Sequence, residues 1–201
     1  MIQPVLIRTE DGSDSLFLPE LSESYHSKFG ALNESRHVFI EAGLNQIPRQ
    51  KMINILEIGF GTGLNALLTL AEAESMKIQV NYHTVEPFPL SIEILTKLNY
   101  TSLPEFVKYH ELFYNLHATP FNAPVIINEN FHVLKFNEKF ENISFDPDFY
   151  HLVYFDAFSP EVQPELWTAD IFWKLLNAMA SGVIKDQPGR ELIRWKLNPG
   201  K

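Results

Sequence analysis

Apolar residues along the chain alternate between short continuous runs and runs with helical spacing. The continuous runs predict four buried strands, at 52–58, 79–85, 131–136 and 151–155. The spaced runs predict four helices, at 64–74, 90–98, 104–116 and 164–180. Strands that alternate with helices indicate an α/β fold, a Rossmann-like, mainly parallel sheet with helices on both faces. Ligands of such a sheet bind beyond the carboxyl ends of its strands.

The first fifty residues precede this pattern. A turn is predicted at Asp11-Gly12, and the second half of the segment 25–40 has the composition of a helix. We expect residues 1–50 to form an N-terminal extension packed on a catalytic domain at 51–201. The chain would then be a single structural domain, which its length of 201 residues allows.

Composition narrows the class of protein. Hydrophobic residues make up 45% and charged residues 20% of the chain, the usual balance of a globular protein. No apolar run approaches the roughly 20 residues that span a bilayer, and the start lacks the pattern of a secretory signal. The absence of cysteine excludes disulfides, thiol catalysis and cysteine-bound zinc, and the histidines have no metal-ligand spacing. A cytoplasmic enzyme without a metal is the expectation.

The formal net charge of −9 argues against broad, non-specific binding of nucleic acid. It leaves room for a focused basic patch, because basic residues outnumber acidic ones in the C-terminal tail. We take Arg190 and Arg194 in this tail as candidate substrate-binding residues. The alternative is a solvated tail with no partner.

A strand that ends in three alternate glycines and opens into a helix is the most informative segment. Gly59, Gly61 and Gly63 would let the backbone turn sharply and let a ligand approach the helix N-terminus. The dinucleotide-binding fingerprint would need its third glycine at the position of Leu64. Glu57 beside the loop would repel a pyrophosphate but suits a ligand that carries ammonium and sulfonium cations. The alternative is a purely structural turn.

Two further acidic residues end predicted strands. Glu86 follows the second strand and lies 23 residues after Gly63. This is close to the separation of about 20 residues, counted from such a glycine loop, at which a carboxylate meets ribose hydroxyls. Asp156 follows the apolar strand at 151–155, where a carboxylate can accept the N–H protons of an attacking amine. The alternatives are a surface Glu86 and an Asp156 that caps its own turn. Phe158, in the loop after Asp156, is a candidate to stack on a uracil, although such residues more often belong to the core.

These residues together resemble the methyltransferase family that acts on 5-aminomethyl-2-thiouridine at the tRNA wobble position. The resemblance extends from Thr9 to about Gly182. It is carried by Asp11-Gly12-Ser13, Tyr25-His26-Ser27, Gly30-Ala31-Leu32, Glu34-Ser35, the segment 57–65, the segment 156–160 and the segment 164–168. The glycine loop is common to many methyltransferases, whereas its combination with the Tyr-His-Ser segment and the Asp-Ala-Phe-Ser-Pro turn is specific.

The resemblance implies methyl transfer from S-adenosylmethionine to the exocyclic amine of the modified uridine, which leaves S-adenosylhomocysteine. It implies cofactor contacts for the glycine loop and for four polar residues: Glu57, Asn65, Glu86 and Asn137. It implies that Asp156 is the catalytic residue that faces the amine, and that Tyr25 and Phe158 contact the substrate. In some members the domain is fused to a flavin-dependent oxidoreductase; here the resemblance implies functional coupling to such an enzyme on a separate chain.

Two departures from the family pattern stand out. Asn137 occupies the place where the family tends to have an acidic residue that contacts adenine. After Gly182 the family continues with a strand, a turn, a helix and a hairpin, for which this chain is too short. We therefore expect incomplete C-terminal strands, with a chain break or missing strand between Gly182 and Pro188. The cause would be either a deletion or a mobile stretch omitted from the sequence.

Two other functions stay open at this point. One is an S-adenosylmethionine-dependent amine methyltransferase that acts on a small molecule or a protein. The other is a catalytically silent module that keeps the methyltransferase fold for docking. Activity on a free amine would favour the first, and failure to bind the cofactor would favour the second.

Overall fold

Two β-sheets and five α-helices make up the part of the chain that the computed structural model describes, residues 3–180 and the backbone of 193–195. The first sheet contains β1 (Val5–Arg8), β2 (Asp14–Leu18) and β3 (Glu23–Ser24). The second contains β4 (Met52–Ile58), β5 (Gln79–Val85), β6 (Val125–Asn128), β7 (Phe131–Phe136), β8 (Leu152–Phe155) and β9 (Ile193–Trp195). The helices are α1 (Ala31–Ser35), α2 (Leu64–Met76), α3 (Ile92–Leu95), α4 (His110–Ala118) and α5 (Ala169–Ala178).

The strand order of the second sheet determines where a ligand can bind. The order is β6-β7-β5-β4-β8-β9, and every pairing except that of β6 with β7 is parallel. From β4 the chain first builds outward through β5 and β7, and then returns to add β8 and β9 on the other side of β4. This reversal creates a crevice at the carboxyl ends of β4 and β8, the usual ligand position in such sheets. The Rossmann-like α/β fold predicted from the sequence is confirmed.

Side chains of a hairpin turn anchor the N-terminal fifty residues. The antiparallel strands β1 and β2 meet at the predicted Asp11-Gly12 turn. The side-chain oxygens of Thr9, Ser13 and Asp11 accept the first three N–H groups of α1, at 3.2, 3.1 and 2.9 Å respectively. Because a helix cannot satisfy its own first N–H groups, these three side chains act as its cap. A π-helical segment, Arg36–Glu41, continues α1.

Helix α2 is apolar around most of its circumference because it is covered on two sides. Its residues pack into the same buried cluster as the strand residues Ile55 and Val80 and the extension residues Phe39 and Leu44. The helix also contacts α1 and the π-helical segment. The sheet therefore lies on one side of α2 and the N-terminal extension on the other. A helix enclosed in this way does not need a polar face.

The predicted elements agree best with the structure in the central sheet. Strands β4, β5 and β7 have the predicted bounds, and α2 ends two residues later than predicted. The predicted helices at 90–98, 104–116 and 164–180 are each shorter in the structure, because 3-10 turns or loops replace their first residues. The segment 183–188, where we expected a break, lies outside the described residues. Within the described part of the chain, no helix is both long and apolar enough to cross a membrane.

Candidate active site

The glycine loop follows β4 with a backbone that requires glycine. Gly59 has a φ of +91° and Gly61 a φ of +50°. A Cβ atom at Gly59 would lie 2.7 Å from the carbonyl oxygen of Asp156, and one at Gly61 would lie 3.0 Å from the ring of Tyr25. Both the torsion angles and the close neighbours therefore exclude a larger residue. The loop leaves a narrow gap between the end of β4 and the start of α2.

Backbone hydrogen bonds join the strand ends that surround this loop. The N–H of Gly59 donates to the carbonyl oxygen of Val85 at 3.0 Å. The N–H of Asp156 donates to the carbonyl oxygen of Ile58 at 2.9 Å. The two acidic residues predicted at strand ends, Glu86 and Asp156, are thus held on either side of the glycine loop, at one edge of the sheet.

Glu86 is directly connected to the glycine loop. Its Oε2 accepts the N–H of Gly61 at 2.9 Å, and its Oε1 accepts the N–H of Phe88 at 2.8 Å. Burial raises the pKa of Glu86, and these two backbone donors oppose that rise. Each carboxylate oxygen has a second lone-pair direction, so Glu86 can accept ribose hydroxyls in addition to its backbone partners.

Glu57, Asn65 and Asp156 form a buried polar group under the cleft. Asn65 Nδ2 donates to Asp156 Oδ2 at 2.9 Å and to Glu57 Oε1 at 3.2 Å. The hydroxyl of Thr84 donates to Glu57 Oε2 at 2.9 Å. Burial, and next the nearby Asp156, raise the pKa of Glu57 to about 8. Glu57 therefore carries a proton near neutral pH, while the half-buried Asp156 lies at the cleft surface.

Aromatic side chains also line the cleft. The rings of Tyr25 and Phe158 meet edge to face, with centroids 5.2 Å apart. Gln163 Oε1 accepts the N–H of Phe158 at 2.8 Å, and Trp167 Nε1 donates to the Phe158 carbonyl oxygen at 2.8 Å. The hydroxyl of Ser159 donates to Glu23, which ties the same loop to the N-terminal sheet. These contacts hold Phe158 on the cleft instead of in the core.

His26 fixes Tyr25 against the glycine loop. Its ring lies within hydrogen-bonding distance of Ser15 Oγ on one side, at 3.1 Å, and of Thr62 Oγ1 on the other, at 3.4 Å. Strand β2 and the glycine loop are thereby connected through one buried imidazole. The Tyr-His-Ser segment thus positions one wall of the cleft.

Most residues that the sequence predicted for the site border one cavity of about 290 Å³. They are Tyr25, Gly59, Gly61, Asn65, Glu86, Asp156 and Phe158. Gly63 and Glu57 are not in the lining, and Glu57 is fully buried beneath it, so their cofactor contacts stay predictions. Asn137 is exposed and also outside the lining. Arg190 and the side chain of Arg194 lie outside the described residues.

Sequence reasoning missed several lining residues. They include Glu23, His26, Thr62, Lys139 and Glu141. Lys139 and Glu141 follow β7 shortly after Asn137, in the segment that the sequence indicated. For Glu23 and His26 the signal was the Tyr-His-Ser segment itself, which the resemblance already contained.

The chemistry of the cleft fits S-adenosylmethionine. Six described residues of the lining are acidic: Glu23, Glu86, Glu141, Asp156, Glu161 and Glu165. Lys139 is the one lysine or arginine among the described lining residues. Such a cleft suits the sulfonium and ammonium groups of this cofactor and disfavours a pyrophosphate. The buried Oδ1 of Asn65, an acceptor with no hydrogen-bond partner within the described structure, also fits a ligand with N–H donors.

Comparisons with known proteins agree with this geometry. A family model described as S-adenosyl-L-methionine-dependent methyltransferase matches residues 111–184. The chain is 27% identical to a protein of Paraburkholderia phytofirmans over 90% of its length and 30% identical to one of a Marinomonas species over 84%. Both relatives are named tRNA 5-methylaminomethyl-2-thiouridine biosynthesis bifunctional protein MnmC. The crystal structure of MnmC2 from Aquifex aeolicus matches with a TM-score of 0.70 and 26% identity, over 89% of this chain and 57% of that chain.

This chain is a relative of the MnmC methyltransferases. The resemblance seen in the sequence is thereby confirmed, and the chain has the fold of an S-adenosylmethionine-dependent methyltransferase. It spans 29% of the Paraburkholderia MnmC and 26% of the Marinomonas MnmC. What those longer proteins do as a whole is therefore carried over to this chain only as a proposal.

Proposed function

We propose that this protein transfers a methyl group from S-adenosylmethionine to the amine of 5-aminomethyl-2-thiouridine at the tRNA wobble position. The observation that carries the proposal is the position of Asp156. It borders the same cleft as Glu86, the glycine loop and the aromatic pair of Tyr25 and Phe158. The names of the similar proteins support this uridine as the substrate.

Asp156 would act on the attacking amine. When bound, S-adenosylmethionine supplies an electrophilic methyl on its sulfonium sulfur. The amine nitrogen forms the new C–N bond while the C–S bond breaks, and the sulfur keeps that bonding pair. A carboxylate at Asp156 can accept the remaining N–H protons of the amine, orient its lone pair and stabilise the cation that develops on nitrogen. The excess proton then passes from the methylated ammonium to the carboxylate or to solvent.

Tyr25 and Phe158 would hold the uracil. Aromatic faces stack on bases that have been turned out of a nucleic-acid strand, and each such stack contributes about 1–3 kcal/mol. The loop of Phe158 also supplies Gln163 and Trp167, whose hydrogen bonds keep the ring in place. The cofactor roles of Glu86, Asn65 and Asn137, and the contact of Arg190 and Arg194 with tRNA, belong to the same proposal. So does functional coupling to a flavin-dependent oxidoreductase on a separate chain.

The charge of the cleft favours a second candidate, an amine methyltransferase for a small cationic molecule or a basic protein. Six acidic lining residues attract an ammonium group but repel the phosphates of RNA. We prefer tRNA because the relatives carry names that refer to tRNA, and because the cleft needs to admit only the base and its aminomethyl group.

The test is a methyl-transfer assay with labelled S-adenosylmethionine. The substrates are tRNA that carries 5-aminomethyl-2-thiouridine, unmodified in vitro transcribed tRNA, and free amines such as a polyamine or a lysine-rich peptide. We expect the label to enter the wobble nucleoside of the modified tRNA alone, as identified by mass spectrometry of the digested RNA. Labelling of the free amines with none in the tRNA would establish the second candidate instead. No labelling in any arm, with cofactor binding absent by calorimetry, would leave a silent module.

A further inference from the structure

Asn65 lies where the buried Glu57 and the half-buried Asp156 approach each other. It occupies the first turn of α2, directly after the glycine loop. Glu57 belongs to β4 and Asp156 follows β8, so the three residues come from three different elements. Asn65 is 3% exposed, and its main-chain oxygen is held by the hydroxyl of Thr69 at 2.7 Å.

The side-chain amide of Asn65 donates one hydrogen bond to each of two carboxyl groups, those of Asp156 and Glu57, and we call this arrangement the fork. Its Nδ2 has two protons, and it lies 2.9 Å from Asp156 Oδ2 and 3.2 Å from Glu57 Oε1. The reverse orientation of the amide would place Oδ1 2.9 Å from the Asp156 carboxyl oxygen, which is repulsive. The network therefore assigns Nδ2 to this position. Each N–H has its own acceptor, and each acceptor is one of the acids.

The two acids differ in burial. Glu57 is fully enclosed, and burial together with the neighbouring Asp156 raises its pKa to about 8. Tyr82 and Thr84 also face Glu57, and neither supplies a positive charge. Asp156 is half-buried and borders the open cleft. The shorter of the two contacts of Asn65 is the one to Asp156, the acid that faces the cleft.

We propose that Asn65 is a positioning residue that holds the Asp156 carboxylate in the orientation that receives the substrate amine, with the buried Glu57 as the fixed second support of the fork. This proposal deepens the proposed function and rests on it. Neither Asp nor Glu at position 65 could replace the amide, since a carboxylate has no proton to donate and would place a third carboxyl group beside the other two. The cofactor contact predicted for Asn65 from the sequence would then involve Oδ1, the atom that the fork does not use.

The first test is spectroscopic and needs no substrate. In the cofactor-free protein, the Asn65 side-chain amide protons should be protected from exchange with water. One of the two resonances should shift in Asp156→Asn and the other in Glu57→Gln. Fast exchange with no shift in either variant would show that the fork does not exist. This readout stays valid whether or not tRNA is the substrate, so it separates failure of this inference from failure of the proposed function.

The second test is a double-mutant cycle on turnover, with whichever amine the methyl-transfer assay identifies. Asn65→Leu keeps the size of the side chain but removes both donors. We expect kcat to fall by roughly 10–100-fold through misplacement of Asp156, with KM for the amine and Kd for the cofactor within about threefold. In the Asp156→Asn background the same change should have almost no further effect, because residues that act as a unit are not additive.

Thr119→Val is the matched control. It removes a buried hydroxyl that donates to the carbonyl oxygen of Leu116, outside the lining of the cleft, and kcat should stay within about threefold of wild type. If Asn65→Leu does not fold, Asn65→Ser, which retains a small donor, replaces it in the cycle. Multiplicative effects of the Asn65 and Asp156 substitutions would overturn the proposal. So would a tenfold or larger loss of cofactor affinity with kcat unchanged, which would make Asn65 a cofactor contact.

Discussion

The carboxylate of Glu86 accepts the backbone N–H of Gly61 at 2.9 Å, so the end of β5 is tied to the middle of the glycine loop. Replacement of Glu86 by Ala removes the ribose acceptor and also releases the loop. We expect cofactor binding to weaken by about 1.5–3 kcal/mol, or roughly tenfold or more in Kd, measured by calorimetry. Glu86→Gln keeps one acceptor and should lose less. A change below twofold in both variants would mean that another residue holds the ribose.

Asp156→Asn should separate catalysis from binding. The amide keeps the shape of the side chain but cannot stabilise the developing ammonium as a carboxylate does. Single-turnover rates should fall by roughly 10²–10⁴-fold, the range for loss of one positioned acid, base or electrostatic group. Cofactor affinity should change far less. Turnover within about threefold of wild type, in protein shown to be folded, would leave Asp156 only the role of capping its turn.

Glu57 should make the wild-type protein less stable as the pH rises. Its pKa of about 8 in the folded state lies above the ordinary value of 4.5 in the unfolded chain. The folded protein therefore holds a proton that the unfolded chain has lost between these values, and stability falls across that range by up to about 1.4 kcal/mol per pH unit. Below pH 4.5 Glu57 is protonated in both the folded and the unfolded state, so its pKa difference no longer lowers the stability of the folded protein.

Glu57→Gln imitates the protonated acid and should remove this pH dependence. Urea unfolding at pH 5, 6.5 and 8 measures the difference between the variant and wild type. We expect the variant to gain relative stability at each step towards pH 8. A constant difference across the three pH values would show that Glu57 is ionised in the folded protein.

Asp11 should stabilise the N-terminal extension through α1. Burial opposes ionisation of its carboxyl, but hydrogen bonds from Ser13, Asn33 and Thr9 outweigh burial and lower its pKa. Its contribution to stability is therefore present above the ordinary pKa of 3.8 and is lost as the pH falls through the lower folded value. Asp11→Ala should cost about 1–3 kcal/mol near pH 7 in chemical unfolding, and less at pH 2.

A second readout locates the effect of Asp11. The exchange rate of the α1 amide protons should rise in Asp11→Ala. The amide protons of β5 should stay as protected as in the wild-type protein, because the substitution opens α1 locally and not the central sheet. Glu10→Ala serves as a control, because Glu10 is exposed and precedes Asp11 in the same hairpin. Equal losses in the two variants would mean that the cap of α1 contributes nothing specific.

The central sheet was predictable because its strands are buried on both faces. Such strands appear as uninterrupted apolar runs, and β4, β5 and β7 have the bounds that these runs indicate. The three-stranded N-terminal sheet was not predicted, since its strands have two to five residues and depend on pairing between hairpins. Strand β6 was missed for a similar reason: it is short and pairs antiparallel at the sheet edge.

The sequence could predict those residues of the site that directly follow a single strand. Glu86 and Asp156 could be found because each follows an apolar run, and the fold then brings them to the same edge. The fork at Asn65 could not be found in this way, because its partner Asp156 lies 91 positions away in the chain. The burial of Glu57 likewise depends on the side chains that cover it, which no local pattern reveals.

Residues that precede β4 form part of the wall of the cleft. His26 lies within hydrogen-bonding distance of Thr62, and the ring of Tyr25 contacts the ring of Phe158. The matched family model covers 111–184 and therefore none of this wall. Under the proposed function, Tyr25 would thus bring a substrate contact from a part of the chain far from Asp156 in the sequence. We expect exchange of the first fifty residues between related enzymes to change substrate preference while Asp156 and the sheet stay the same.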